Sequence, residues 1–266
     1  MAPLTSTDAS PISSTPETTM PAETLPSETL PTDTLPADML PAGTTYDLDV
    51  TTTRELNAAL QATEAPAAVT VTNPQGKHAL ACGLDRPIDV RIEGHVGYYA
   101  AGMNKHATVT VAGNAGVGVA ENMMSGTVRV TGDASQSAGA TAHGGLLVIE
   151  GNAAARCGIS MKGVDIVVGG SIGHMSAFMG QAGRLVVLGD AGEALGDSLY
   201  EARIYVRGTV ASLGADCVKK EMRPEHLEEL RELLRAAGFD ADPAEFTRYG
   251  SARGLYHFHV DNASAY

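Results

Sequence analysis

Val109-Thr110-Val111-Ala112-Gly113-Asn114-Ala115 is followed nineteen residues later by Val128-Arg129-Val130-Thr131-Gly132-Asp133-Ala134, and after nineteen more by Leu147-Val148-Ile149-Glu150-Gly151-Asn152-Ala153. The same spacing holds Gly94, Gly113, Gly132, Gly151, Gly170, Gly189 and Gly208 in one unbroken series. Two residues before each glycine stands Ile or Val, and four before stands another aliphatic residue. Seven after stands Ala or Gly: Ala101, Ala120, Gly139, Gly158, Ala177, Gly196 and Ala215. The stretch V-x-V-x-G alternates as a strand does, so its two aliphatic positions face one side. A fixed period of roughly 20 residues marks stacked supersecondary units. Such a unit is too short for two packed helices, and the leucine spacing of leucine-rich repeats is absent. The fold class that remains is all-β: a parallel β-helix, a single-stranded solenoid with one coil per unit. Stacking at about 4.8 Å per coil predicts a rod roughly 30 Å long for seven coils.

Around the array the chain changes character. Residues 1–43 are a low-complexity, Thr/Pro-rich acidic segment, with prolines at 21, 26, 31, 36 and 41 that forbid helix and ladder pairing. They read as a disordered tail or tether, so deleting residues 2–43 should leave folding intact. Residues 44–87 read as an N-terminal cap. Thr52 and Glu55 have capping-box spacing, Leu56, Ala59 and Leu60 make an apolar helix face, and Val69-Thr70-Val71 alternates. A less regular coil, 73–83, precedes the seven repeats of residues 88–222. Residues 223–266 carry a C-terminal helix. Pro224 sits in its first turn, Leu227, Leu230 and Leu234 form its stripe, and Gly238 stops it. Asp242 and Pro243 can start a short further turn, and 248–266 read as a tail.

Composition removes several functions. The chain of 266 residues has a formal net charge of −13, and its first 45 residues hold six acids and no Lys or Arg. An acidic chain without a basic cluster repels phosphate backbones, which argues against nucleic-acid binding. Three cysteines with no CxxC fit a reducing cytoplasm. Neither a signal peptide nor a membrane-spanning stretch is legible, and the expected location is cytoplasmic.

The candidate chemistry is thin. Gly113-Asn114-Ala115-Gly116-Val117-Gly118 looks like a phosphate-cradling loop, but another coil follows it where such a loop needs a helix N-terminus. His257 and His259 alternate on one strand face and could join His143 or His174 at a metal, yet nothing in the sequence converges them. Cys157 and Cys217 read as wall fillers. Glu121, Asp197 and Asp216 share one repeat position, which would stack Asp197 and Asp216 as an acid/base pair for carbohydrate chemistry, although no aromatic sugar platform accompanies them. No catalytic, cofactor-binding or metal-binding residue is assigned. The one candidate interface is a stripe of outward residues, Val148, Val167, Val186 and Tyr205, apolar across four coils. Either the C-terminal helix or a partner subunit must cover it, and the sequence reading favours a partner.

The 19-residue units with their G-N/D-A-G corners resemble the GXGXG domain, the right-handed β-helix at the C-terminal end of the glutamate synthase large subunit. Residues from about Val69 to Met222 match that pattern. Gly113–Gly118 keeps the full motif, whereas Gly132–Ser137 and Gly151–Arg156 keep only its first glycine. The stretch from Phe246 to Tyr256 and the Arg223-Pro224-Glu225-His226-Leu227 segment are more similar to the standalone GXGXG subunit of methylamine–glutamate N-methyltransferase (N-methylglutamate synthase). The resemblance implies a non-catalytic scaffold in a complex that makes N-methylglutamate and ammonia from methylamine and glutamate. It implies two partners, a class II glutamine amidotransferase-like subunit and an FMN-binding glutamate synthase-like subunit. FMN is expected in the second, which leaves room for an iron–sulfur cluster, and no cofactor is expected in this chain. Two alternatives stay open: a scaffold like the GXGXG-type subunit of formylmethanofuran dehydrogenase, and a stand-alone carbohydrate-active β-helix enzyme.

Overall fold

The computed structural model describes residues 43–255. The expectations for the 1–43 tail and for His257 and His259 fall, but for Gly43, outside the described residues. In chain order the elements are β1 (Thr44–Asp47), α1 (Thr53–Ala62), β2 (Ala67–Thr72), β3 (Ile88–Ile92), β4 (Thr108–Val111), β5 (Thr127–Val130), β6 (Leu146–Ile149), β7 (Lys162–Val168), β8 (Ala182–Val187), β9 (Arg203–Val206), β10 (Cys217–Lys220), α2 (Pro224–Ala237) and β11 (Thr247–Ser251). The strands form one sheet in the order β1-β2-β3-β4-β5-β6-β7-β8-β9-β11-β10.

From β3 to β9 every pairing is parallel, and the register carries each repeat position onto itself except at the start of β7, where Lys162 meets Ala182. Val90, Val109, Val128, Leu147, Ile166, Leu185 and Ile204 form one ladder. These residues and the aliphatics two positions later are buried, and they supply the inner wall of the coil. A second, single-bridge ladder runs through Val96, Ala115, Ala134, Ala153, Ile172, Ala191 and Val210. The array is thus a parallel β-helix, as the period predicts.

The remaining arc of each coil turns through an alternation of left-handed residues. They lie five, seven and nine positions after the repeat glycine: Gly118, Ala120 and Asn122 in one coil, Ser137, Gly139 and Thr141 in the next. The residue between, six after the glycine, points inward, and Ala100, Val119, Ala138, Cys157, Ser176 and Leu195 are all buried in this row. A left-handed backbone with its neighbours stacked above and below admits only a small side chain at plus seven. That explains the Ala/Gly rule.

The stack opens one coil before Gly94. β2 pairs with β3 in parallel, and Ala79, Ala81 and Gly83 repeat the left-handed alternation below Tyr99, Ala101 and Met103. Segment 73–83 is therefore a coil of the same kind. Its spacing differs, because Val69 meets Val90 across a stretch longer than the repeat period, and that hides it from a search at the regular spacing. Helix α1 starts with the expected capping box of Thr52 and Glu55 and buries Leu56 and Leu60.

At the other end the period breaks. Leu195 bridges Leu213, one position short of the regular interval, so Gly214 and not Ala215 occupies the last plus-seven position. The stretch expected as a tail from Arg248 contains a strand. β11 inserts antiparallel between β9 and β10 and covers the open edge of the last coil. β10, which becomes the outer strand, ends in Lys219 and Lys220, charges that discourage edge pairing.

The apolar stripe is internal. Val148, Val167, Val186 and Tyr205 are fully buried, in a cluster with Leu230, Leu233, Leu234, Ala237 and Phe246. This corrects the expectation of a partner interface: the chain's own helix α2 covers the stripe. Fourteen helical residues extend about 21 Å, which matches four to five coils at about 4.8 Å each. The C-terminal end and the second turn of α2 are tied to the sheet. Arg129 Nη2 donates to the Ala237 carbonyl at 2.8 Å, and Tyr205 Oη donates to Glu229 Oε1 at 2.7 Å. Leu227 is only half-buried, and Leu233 takes its expected place.

Candidate functional site

The seven repeat glycines form a structural seam. The residue after each one is His95, Asn114, Asp133, Asn152, Ser171, Asp190 or Thr209. Each side chain from His95 to Asp190 accepts the N–H of its equivalent in the next coil, at 2.7–2.9 Å. The glycines leave room for this ladder. A Cβ on Gly132 would stand 2.1 Å from Asn114 Oδ1, and one on Gly151 2.4 Å from Asp133 Oδ1. The same packing explains the Gly113–Gly118 loop. A Cβ on Gly116 would meet the Gly97 carbonyl carbon at 2.6 Å, and Gly118 is left-handed at φ 73°. The motif's glycines serve coil stacking.

The reactive side chains singled out in the sequence do not converge. Cys157 is enclosed between Ala138 and Ser176 of neighbouring coils, and burial pushes its thiol up to about 12. Burial does the same to Cys217, also to about 12, and raises the half-buried Cys82. The shortened last coil puts Asp216 out of step with Asp197. Asp197 accepts from Ser198 Oγ at 2.6 Å and from the Ala215 N–H at 3.2 Å. Asp216 accepts from Ser251 Oγ at 2.5 Å and from the Gly254 N–H at 2.7 Å, which fastens the end of β11. The stacked pair required for carbohydrate chemistry is therefore not formed, and both groups hold backbone. His143 and His174 are exposed. Among the described residues no three His, Cys, Asp or Glu side chains are grouped to hold a metal ion.

The feature with the character of a site is a cleft of about 440 Å³ at the capped end, between the first turn of α2 and strands β9, β10 and β11. Five cations line it (Arg203, Lys220, Arg223, Arg248 and Arg253), against three carboxylates (Glu201, Glu225 and Glu229) and His226. Glu229 is the hub. It takes Arg203 Nη1 at 2.5 Å and the Tyr205 hydroxyl, with Arg184 Nη1 at 3.7 Å. Arg184 in turn grips Asp165 with two hydrogen bonds of 2.5 and 2.6 Å, while burial raises the Asp165 carboxyl against that pull. Arg253 pairs with Glu201 at 3.2 Å. Burial, followed by the nearby Arg248 charge, lowers the His226 pKa, and the neutral ring's Nδ1 accepts the Arg223 N–H at 3.1 Å.

Two cations stay uncompensated. Lys220 has no carboxylate within ion-pair distance among the described residues. Arg248 reaches the Glu221 carbonyl through Nη1 at 3.2 Å, but its buried Nε has no partner. Sequence reasoning missed this cleft because its residues come from a coil, a helix and a strand that lie far apart along the chain. One signal was available. Position minus five reads Asp165, Arg184, Arg203 in the last three coils, a run of charge where the three coils before have Thr108, Thr127 and Leu146.

Protein GlxC of Rhizobium meliloti (strain 1021) is 66% identical over 224 residues, which is 83% of this chain and 98% of that protein. No protein-family model matches the chain. No solved structure matches it either.

Proposed function

The chain belongs to the family of Protein GlxC, and on that premise we propose that it is a non-catalytic scaffold subunit of a glutamate synthase-like complex, with N-methylglutamate synthase as the reaction. Partners carry the chemistry in this reading: an amidotransferase-like subunit, and an FMN-binding subunit that acts on methylamine and glutamate. The observation that carries it is where the polar and reactive groups of the array go. The Asn/Asp ladder, the buried cysteines and Asp216 are all engaged in holding coils and caps together. The likeness of the repeat corners to the GXGXG domain supplies the kind of complex.

With the stripe covered, the partner surface moves to the first coils. Tyr98, Tyr99, Met103 and Met124 are each about half exposed, Tyr98 stacks on His78, and Met103 neighbours the carbonyl that holds Met124. Exposed aromatic and Met clusters are characteristic of interaction surfaces. The test is affinity purification from the native source. Recovery of an amidotransferase-like chain and an FMN chain is expected with the wild type, and their loss with Tyr98→Asp plus Met103→Asp while the variant stays folded. A molybdenum- or tungsten-containing chain would instead point to a formylmethanofuran dehydrogenase-type complex. The isolated chain is expected to show no transferase activity, and flavin absorbance that stays with it through gel filtration would overturn the scaffold reading.

A further inference from the structure

The cleft at the capped end has a charge opposite to that of the chain around it. Its five cations and three carboxylates leave an excess of two positive charges, on a protein whose net charge is −13. An excess of this sign inside a cleft attracts a small anion and focuses its field. Arg248 and Lys220, which both line the cleft and stand opposite each other across β10 and β11, have no carboxylate within ion-pair distance among the described residues, so their charge is open to a ligand acceptor. A third observation is independent of both. The N-cap of α2 is Arg223, whose side chain accepts no backbone N–H; His226 takes only the Arg223 N–H, and Arg223, Glu225 and His226 border the cleft. The positive end of a 14-residue helix adds to the field there.

We infer that this cleft binds a small carboxylate, held by Arg248 and Lys220, a function that does not depend on the scaffold role. Its volume falls in the range of roughly 300–1,000 Å³ usual for small-molecule sites. The cleft already shows how carboxylates sit in it, since Glu201 and Glu229 occupy Arg253 and Arg203. A planar carboxylate matches the guanidinium fork. Carboxylate charge is confined to the ends of a short chain, so the hydrocarbon link of a dicarboxylate such as succinate can lie against Ala182 and Ala202, which also line the cleft. A phosphate spreads acceptors in all directions and would turn some of them toward the three glutamates.

Calorimetric titration of the full chain with succinate, and with inorganic phosphate at matched ionic strength, tests the assignment. Succinate is expected to bind the wild type more tightly than phosphate. Arg248→Gln and Lys220→Gln are each expected to weaken it roughly tenfold to a hundredfold, the range for losing a hydrogen bond to a charged group. Arg91→Gln, which breaks only the ion pair of this β3 residue with Glu93, should leave the affinity unchanged. Lys220 is half-exposed, so Lys220→Gln keeps the test decisive if Arg248→Gln fails to fold. Absence of succinate binding, or undiminished binding in Lys220→Gln, would overturn the site. Phosphate binding as tightly as succinate would overturn the carboxylate assignment.

Discussion

At the scale of single residues, two kinds of glycine obey different constraints. Those that open each unit from Gly113 onward are needed because neighbouring coils approach closely. Gly132→Ala would push a Cβ into Asn114 Oδ1, the acceptor of the Asp133 N–H, and dislodge that rung. The expected cost is about 1–3 kcal/mol, the usual range for overpacking, read from urea melts. Gly158 is constrained by its backbone, at φ 70°. Ala177 holds the same position at φ 57° one coil on, so Gly158→Ala should be tolerated. Gly158→Val should not, because a branched side chain disfavours the left-handed region and its Cβ starts 3.3 Å from Ile166 Cδ1. A Val variant that melts with the wild type would refute the coil register proposed for this row.

At the scale of elements, α2 and β11 act as a latch on the last coils. Val167→Asp with Val186→Asp places two charges in the closed seam between helix and sheet, where nothing compensates them. The expected result is unfolding or release of α2, seen as lost helical ellipticity and a lower Tm. Leu234→Ala in the same seam should cost about 2–5 kcal/mol. The latch is also pH-dependent through Asp216. Burial works to raise its carboxyl, but hydrogen bonds from the Ser251 hydroxyl and from the N–H groups of Gly254, Arg253 and Leu255 prevail and hold it below the ordinary range. A carboxyl depressed in the folded state contributes stability that is complete above its unfolded pKa of about 3.9. That contribution is lost as pH falls through the lower folded value. Asp216→Asn should therefore flatten the acid limb of the stability profile below about pH 4 and leave the neutral region parallel to the wild type.

At the scale of the molecule, a solenoid stays soluble only if both ends and any apolar side are closed. Here one C-terminal segment does two of these jobs: β11 closes the edge of β9, and α2 closes the stripe. Removal of residues 223–266 would expose both at once. Light scattering is expected to show oligomers or aggregates for that truncation, and a clean monomer would mean that the array needs no cap at this end. The sequence by itself determined the β-helix, because identical residues nineteen apart can satisfy one another only by stacking, and a strict period states that directly. It also determined the capping box of α1 and the stop of α2 at Gly238, which depend on residues within one turn of chain. What covers the stripe, where β11 inserts, and that Asp197 and Asp216 fall out of step were decided only in the tertiary structure. The cleft was decided there too. Each of these depends on contacts between segments far apart in the chain, or on a single residue gained or lost in one coil. Periodicity records which face of an element is apolar; it carries no information about which distant element comes to lie on it.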